Sequence, residues 1–149
     1  FSYRDNNISV YKSFTHQHLG EIKKTLSAMN GSEIPEINFV PMRGDFPRGI
    51  FASLYTECSI EDSEKVANLY KEYYKDSPFV HYSDNGISLK EVINTNKCLI
   101  HTELHNGKIH ITSIIDNLIK GASGQAVENM NLMFGLDQKR GLSLKPSTF

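Results

Sequence analysis

The chain has 149 residues, of which 39% are hydrophobic, and this is enough for one domain with its own core. Its formal net charge is −1, with 16 basic and 17 acidic residues, so the composition gives no reason to expect nucleic acid or an anionic membrane as a partner. No apolar run approaches the roughly 20 residues that span a bilayer, and no signal-peptide pattern opens the chain. Cys58 and Cys98 lie far apart and outside any C-x-x-C, which favours a reducing compartment, and we expect a cytoplasmic protein.

Strand and helix patterns alternate in the N-terminal part of the chain. Residues 7–14 are β-rich and predict a strand that leads to His16 and His18. The apolar spacing over residues 19–29 predicts a helix, which Gly31 is placed to end. Two more strands are predicted on either side of the turn-rich loop MRGDFPR, over residues 36–42 and 49–57.

A second helix is predicted in the middle of the chain. Ser59 can cap this helix, and Asp62 follows three residues later, which is a near match to a capping box. Val66, Tyr70 and Tyr73 recur at helical spacing and are expected to form its apolar face.

The dipeptide Asn106-Gly107 predicts a β-hairpin, because it best supplies the two positive φ angles of a type I′ turn. Pairing His105 with Lys108 then sets the register of the two strands. The cross-strand pairs expected on one face are Leu104–Ile109, Thr102–Ile111 and Cys98–Ile115, and those on the other are Glu103–His110 and His101–Thr112. The first face is predicted to be core and the second to be wetter.

Residues 114–135 predict a helix that is rich in small residues. Asp116 and Asn117 stand where an N-cap belongs. Its apolar face is expected to consist of Ile119, Ala122, Ala126, Met130 and Met133. Gly121 and Gly124 each cost a helix interior about 1 kcal/mol relative to Ala. We therefore expect a ligand or another helix to lie against this backbone, and tight packing of the helix on the sheet is the alternative.

Together these elements predict one α+β domain over residues 1–149, with a mixed, largely antiparallel sheet and helices packed on it. The sequence has no internal repeat and no low-complexity segment. It also has no G-x-G-x-x-G fingerprint, since Gly121-x-x-Gly124 lacks the glycine spacing of a dinucleotide fold.

His16-x-His18 is the first candidate for chemistry. Two imidazoles at a strand end can serve proton transfer near neutral pH. The alternative is a pair of surface or hydrogen-bonded core histidines. A zinc site would need one or two further ligands, and neither cysteine has the spacing to supply them, so we expect no metal.

The chain resembles the second half of the N-acetyl-gamma-glutamyl-phosphate reductases, which are NADP-dependent semialdehyde dehydrogenases. The segments that carry the resemblance occur in the family's order, namely HQHLGEI, FVPM followed by PRGIFASLY, NTNKC and DNLIKGASGQAVENMNLMFG. The resemblance implies a semialdehyde dehydrogenase C-terminal-domain-like fold. It also implies that the NADP-binding Rossmann domain and the catalytic cysteine belong to a segment preceding Phe1, so that Cys98 is not the nucleophile.

The resemblance also implies roles for individual residues. His16 matches the acid-base partner of the cysteine, and His18 supports it in binding substrate. Arg48 matches a family arginine that would hold the acyl phosphate or carboxylate, although Arg43 remains an alternative match, and a fixed guanidinium suits either anion. The other matched positions are Asn96 for substrate and Asn117, Gly121 and Gly124 for the nicotinamide side of the cofactor. The sequence departs from the family at Leu19-Gly20, where Thr-Pro is common.

The predicted function is therefore the substrate-binding and dimerisation domain of an N-acetyl-gamma-glutamyl-phosphate reductase of arginine biosynthesis. NADP would bind mainly through the other domain, and the chain by itself is expected to be inactive and to form a homo-oligomer. Two alternatives stay open, which are a non-catalytic homodimerisation module and a domain of a related aspartate- or aminoadipate-type semialdehyde dehydrogenase. The sequence does not determine whether the acyl group of the substrate is acetyl or succinyl, or whether the cofactor is NADP or NAD.

Overall fold

The computed structural model describes residues 5–146. The chain divides into two compact units, Phe1–Pro47 and Arg48–Phe149. The assignment of residues 1–149 to one semialdehyde dehydrogenase domain stays a prediction.

The first unit contains a two-stranded antiparallel sheet and one helix. Its elements are β1 (Ser9–Val10), α1 (His18–Asn30) and β2 (Met42–Arg43), with Ser9 opposite Arg43. The predicted helix is confirmed, and Gly31 ends it in the left-handed conformation with φ of 71°.

The two strands of this unit are much shorter than predicted over residues 7–14 and 36–42. Lys12 and Phe14 adopt positive φ angles of 49° and 58°, which interrupt an extended strand. The backbones still meet beyond the sheet, because Tyr11 N donates to Pro41 O at 2.8 Å and Phe14 N donates to Phe39 O at 2.9 Å. Irregular pairing thus replaces the regular strands that the composition predicted.

The second unit is built on a four-stranded mixed sheet in the order β3-β6-β5-β4. Its strands are β3 (Ile50–Glu57), β4 (Val80–Tyr82), β5 (Cys98–His105) and β6 (Lys108–Ile115). β6 is antiparallel to both β3 and β5, and only the pair β4–β5 is parallel. The predicted α+β class with a mixed, largely antiparallel sheet is confirmed.

The hairpin of β5 and β6 forms in the predicted register. Asn106 and Gly107 have φ angles of 48° and 74°, as a type I′ turn requires. Every predicted cross-strand pair is observed. The face with Ile100 and Thr102 is buried, whereas Glu103 on the other face is exposed. Thr112 and Ile114 also lie on that face, yet they are only 7% and 0% exposed, so the predicted contrast between the two faces holds only in part.

The second helix, α2 (Ser63–Tyr73), starts later than predicted. Asp62 rather than Ser59 is its N-cap, since Asp62 Oδ1 accepts hydrogen bonds from the backbone of Glu64 and Lys65 at 2.9 and 3.2 Å. Val66 is buried as predicted, whereas Tyr73, the last residue of the helix, is 72% exposed. The predicted core position of Tyr73 is therefore wrong.

The core of the second unit lies between α2, the sheet and the loop that precedes β5. Its buried apolar members are Val66, Ala67, Phe79, Val92, Ile93, Ile100, Ile109, Ile114 and Leu142.

The small-residue helix begins with a π-helical turn, Ile119–Ser123, and continues as α3 (Gly124–Met133). The apolar face predicted for it is wrong, since Met130 and Met133 are 45% and 82% exposed and the buried residues of α3 are Gly124, Glu128 and Asn131. A π turn adds one residue, and each residue turns a helix by about 100°, so the periodicity read from Ile119 points to the wrong side.

Candidate functional site

His16 lies in an aromatic cluster of the first unit. Its ring centroid lies 5.6 Å from that of Tyr11, 5.5 Å from Phe39 and 4.6 Å from His18, each in an edge-on arrangement. The backbone N–H of His18 donates to Nδ1 of His16 at 3.2 Å. The predicted pair of histidines is thus brought together at the start of α1.

The surroundings of His16 favour the neutral imidazole. Partial burial lowers the pKa of His16, electrostatic interactions with His18 and Lys12 lower it further, and the interaction with Glu21 opposes them. Because Nδ1 accepts a hydrogen bond, the neutral ring carries its proton on Nε2. Nε2–H is then the group that can donate to an oxyanion or a thiolate.

Arg43 is held in the same unit by Tyr11. Its guanidinium carbon lies 3.6 Å from the centroid of the Tyr11 ring, which is close stacking for a cation on an aromatic face. Arg43 and Arg48 therefore differ in their environments, one stacked on a ring and the other paired with a carboxylate.

Arg48 immediately precedes β3 in the second unit, and its side chain pairs with Asp116. Its Nη2 lies 3.1 Å from both Oδ1 and Oδ2 of Asp116. The Arg48 side chain is 26% exposed and that of Asp116 is 0% exposed. Within the described part of the chain, the buried Nε of Arg48 has no hydrogen-bond partner.

The Asp116 carboxylate is held mainly by backbone donors. Asn94 N donates to Oδ2 at 2.7 Å, and Leu118 N and Ile119 N donate to Oδ1 at 2.8 and 2.9 Å. Burial by itself raises the pKa of Asp116, but these backbone hydrogen bonds and the Arg48 side chain outweigh it, so that the pKa lies below its usual value. The bonds from Leu118 and Ile119 are of the kind that an N-cap side chain accepts, but the helical turn itself begins at Ile119, with Leu118 in the N-cap position.

Asn117 fixes the residue that follows Arg48. Its Oδ1 accepts a hydrogen bond of 2.6 Å from Gly49 N. Gly49 has a φ of 110°, and a Cβ there would lie 2.6 Å from the Leu89 side chain, so this position requires glycine. Side chains of Asp116 and Asn117 thus tether Arg48 and Gly49, respectively, where β3 begins and β6 ends.

Asn96 lies in a buried polar cluster rather than at the surface. It is 1% exposed, and its Nδ2 donates to Glu128 Oε2 at 3.1 Å. Lys120 and Gln138 donate to the same carboxylate at 2.6 and 2.8 Å. Burial raises the pKa of Glu128, but the bonds from Lys120, Gln138 and Asn96 hold it below its usual value.

The two glycines predicted to line the cofactor have different surroundings. Gly124 is buried, and a Cβ there would lie 2.4 Å from Asn96 Oδ1 and 2.7 Å from Ile119 O. Gly121 is exposed, and its nearest neighbour would be Asp116 O at 3.5 Å. Close packing against Asn96 and Ile119 accounts for glycine at position 124, whereas a Cβ at position 121 would make only ordinary contacts.

A third polar arrangement lies on the sheet. Ser53 Oγ lies 2.8 Å from His110 Nε2, and His110 Nδ1 lies 3.2 Å from Glu103 Oε2. The order resembles a hydrolase triad. All three side chains are open to water, however, and Glu103 is 64% exposed, so we interpret the contacts as cross-strand polar pairs.

Over residues 5–146, the structure holds no group of three or more His, Cys, Asp or Glu side chains arranged to bind a metal ion. Within the same residues, no helix is long and apolar enough to cross a membrane.

The comparison with known families identifies the class of protein. The family described as semialdehyde dehydrogenase, dimerisation domain, matches residues 1–117. The chain therefore belongs to the semialdehyde dehydrogenase dimerisation-domain family.

Individual relatives carry a more specific name. The chain is 56% identical to the N-acetyl-gamma-glutamyl-phosphate reductase of Phocaeicola vulgatus, 57% identical to that of Bacteroides thetaiotaomicron and 54% identical to that of Flavobacterium johnsoniae. Each match covers 100% of this chain and 46% of the relative, so the chain spans about half the length of these proteins. The predicted resemblance to this family is confirmed.

Proposed function

We propose that this chain is the substrate-binding and dimerisation part of an NADPH-dependent N-acetyl-gamma-glutamyl-phosphate reductase of arginine biosynthesis. The observation that carries the proposal is the 54–57% identity with reductases of that name, which extends over all 149 residues. The reaction would convert an N-acyl-glutamyl phosphate into the semialdehyde in the cytoplasm.

His16 is proposed as the acid-base group. A cysteine thiolate outside this chain would attack the acyl carbon, phosphate would leave, and the acyl group would be held as a thioester. His16 is kept neutral with its proton on Nε2, so this atom would donate to the acyl oxygen as negative charge develops. His18 would orient the ring through its backbone bond to Nδ1 and would contribute to substrate binding.

Arg48 is proposed to bind an anionic group of the substrate. Only its Nη2 is engaged, by Asp116, and Nη1 makes no hydrogen bond with the described residues. Its Nη1 donors suit a phosphate or carboxylate oxygen. Asn96 is buried against Glu128, so its contribution to substrate binding would be to fix the loop between residues 94 and 98.

NADPH would supply the hydride for reduction of the thioester and would be bound mainly outside these 149 residues. Asn117 and Gly121 are proposed to contact the nicotinamide side. Gly124 would act through packing, because Asn96 occupies the space beside its backbone.

Self-association is proposed to use β3, which lies at the edge of the sheet. Its exposed apolar side chains are Ile50, Phe51, Leu54 and Tyr55, at 48%, 51%, 49% and 78% exposure. A long, exposed and apolar edge strand invites pairing with another chain. A second copy is the partner that fits a dimerisation-domain family.

Addition of the N-terminal half of a relative tests the proposal. The N-terminal half of the Bacteroides thetaiotaomicron reductase, which would carry the thiol and the cofactor site, is mixed with this chain, and NADPH oxidation is followed with N-acetyl-γ-glutamyl phosphate. Turnover that needs both components supports a catalytic role. A stable complex without turnover would instead favour a non-catalytic dimerisation module, and turnover with aspartyl phosphate alone would favour a related dehydrogenase.

A further inference from the structure

We propose that Asp116 is a positioning residue for Arg48 in the substrate site, which sets how tightly the acyl phosphate is held. The inference rests on the proposed function and deepens it. The carboxylate would act through the guanidinium and would not itself touch the substrate.

Asp116 is fixed without help from Arg48. Its two oxygens accept three backbone hydrogen bonds of 2.7–2.9 Å, from Asn94 on one side and from Leu118 and Ile119 on the other. The side chain is 0% exposed. The orientation of the carboxylate is therefore determined by the loop before β5 and by the turn after β6.

The Asp116 carboxylate constrains only one edge of the guanidinium. Both Asp116 oxygens lie 3.1 Å from the same atom, Nη2 of Arg48. Nη1 remains available on a side chain that is 26% exposed. A guanidinium with one nitrogen anchored loses less rotational freedom when it binds an anion through its remaining donors.

The backbone that follows Arg48 is held by the residue next to Asp116. Asn117, the neighbour of Asp116, accepts the 2.6 Å hydrogen bond from Gly49 N. Two consecutive residues at the end of β6 thus hold two consecutive residues at the start of β3. Both the side chain of Arg48 and the backbone that follows it are thus held from one place, which suits a group that must be presented in one orientation.

The charge of the Asp116 carboxylate affects how strongly Arg48 can attract an anion. A carboxylate that bonded only to the arginine would neutralise it and weaken its attraction for an anionic substrate. Three backbone N–H groups share the negative charge of Asp116, so the guanidinium keeps part of its positive potential toward solvent.

A double-mutant cycle in the full-length reductase tests the proposal, with Asp116→Asn, Arg48→Lys and the double variant. We expect each single variant to raise KM for the acyl phosphate about tenfold with kcat within about threefold of the wild type, which is the pattern of lost substrate binding. Because both changes remove the same interaction, KM of the double variant should be no higher than that of the worse single variant. Independent, multiplying effects on KM would overturn the proposal.

Val66→Ala serves as the control for lost stability. This residue is 3% exposed in the core under α2, and its truncation should lower the melting temperature while KM stays unchanged. If Asp116→Asn behaves like Val66→Ala, the ion pair is only structural and the proposal is wrong.

Chemical rescue keeps the test valid if Asp116→Asn does not fold. In Arg48→Ala, a fixed Asp116 carboxylate should capture guanidinium added at millimolar concentration, so kcat/KM should recover at least severalfold, whereas the wild type should not respond. Absence of any rescue would count against a positioning carboxylate.

The proposed function can fail separately. Wild-type protein that does not reduce the acyl phosphate refutes the function. Rotation of the Arg48 guanidinium, measured by NMR in the same full-length protein, then tests whether Asp116 positions it. Slow rotation of the guanidinium in the wild type that becomes fast in Asp116→Asn supports the tether, and equally fast rotation in both proteins overturns it.

Discussion

Substitution of Gly124 by Ala gives the sharpest stability prediction, because two known effects oppose each other at this position. Ala is better than Gly inside a helix by about 1 kcal/mol. The added Cβ, however, would lie 2.4 Å from Asn96 Oδ1, 2.7 Å from Ile119 O and 2.9 Å from Ile119 C. Two of these three atoms belong to the backbone, which yields less readily than a flexible side chain.

The steric effect should win. Overpacking of this kind costs about 1–3 kcal/mol. Any shift of Asn96 also weakens its hydrogen bond to the Glu128 carboxylate, and a bond to a charged group contributes about 1.5–3 kcal/mol. After the gain in helix propensity is subtracted, we expect Gly124→Ala to lower the free energy of unfolding by about 2 kcal/mol. This corresponds to a melting temperature lower by about 4–8 °C in a chain of this length.

Gly121→Ala is the matched control, measured by urea and thermal unfolding of the same chain. The nearest atom to its added Cβ would be Asp116 O at 3.5 Å, an ordinary contact, so this variant should be neutral or more stable by up to about 1 kcal/mol. Equal effects of the two substitutions, or a stabilised Gly124→Ala, would refute the close packing of α3 against Asn96.

Three further predictions concern catalysis, helix capping and pH. His16→Ala should lower turnover of the full-length enzyme by about 10² to 10⁴ with little change in stability, and a larger kinetic effect of His18→Ala would mean that the other imidazole is the acid-base group. Asp62→Ala should cost about 1 kcal/mol in urea unfolding through loss of the α2 N-cap, and an unchanged midpoint would argue against that cap. The pKa values of Asp116 and Glu128 are lowered in the folded state, so the stability that these carboxylates contribute is fully present above their unfolded-state pKa values of about 4. It is lost as pH falls through the folded-state values, and Glu128→Gln should therefore make the free energy of unfolding fall less steeply at acid pH.

Local signals in the sequence were sufficient for part of the fold. The Asn106-Gly107 turn determined the hairpin and its whole register, because a two-residue loop leaves one pairing that keeps the apolar face inside. Gly31 marked the end of α1 in the same way. These features depend on neighbours within a few residues, and the sequence shows such neighbours directly.

Features that depend on distant partners were not predictable in the same way. Arg48 and Asp116 are 68 residues apart, so each was interpreted from its own neighbours, Arg48 as a substrate ligand and Asp116 as a cap. The π turn at Ile119–Ser123 changed the face of α3 that is buried, and no residue type announces such a turn. The buried Glu128 was missed for a related reason, since Lys120 compensates its charge and Gln138, which lies beyond the helix, donates a hydrogen bond to it.

The central claim, that this chain supplies a working catalytic and dimerisation part of the reductase, is tested most directly by a chimera. The N-terminal half of the Bacteroides thetaiotaomicron reductase is joined to this chain, which is 57% identical to the part it replaces, and NADPH oxidation is measured with N-acetyl-γ-glutamyl phosphate. The account predicts turnover within about tenfold of the parent enzyme, and loss of at least about 10² of it in the His16→Ala chimera. A folded chimera that binds NADPH and shows no acyl-phosphate-dependent oxidation would contradict it.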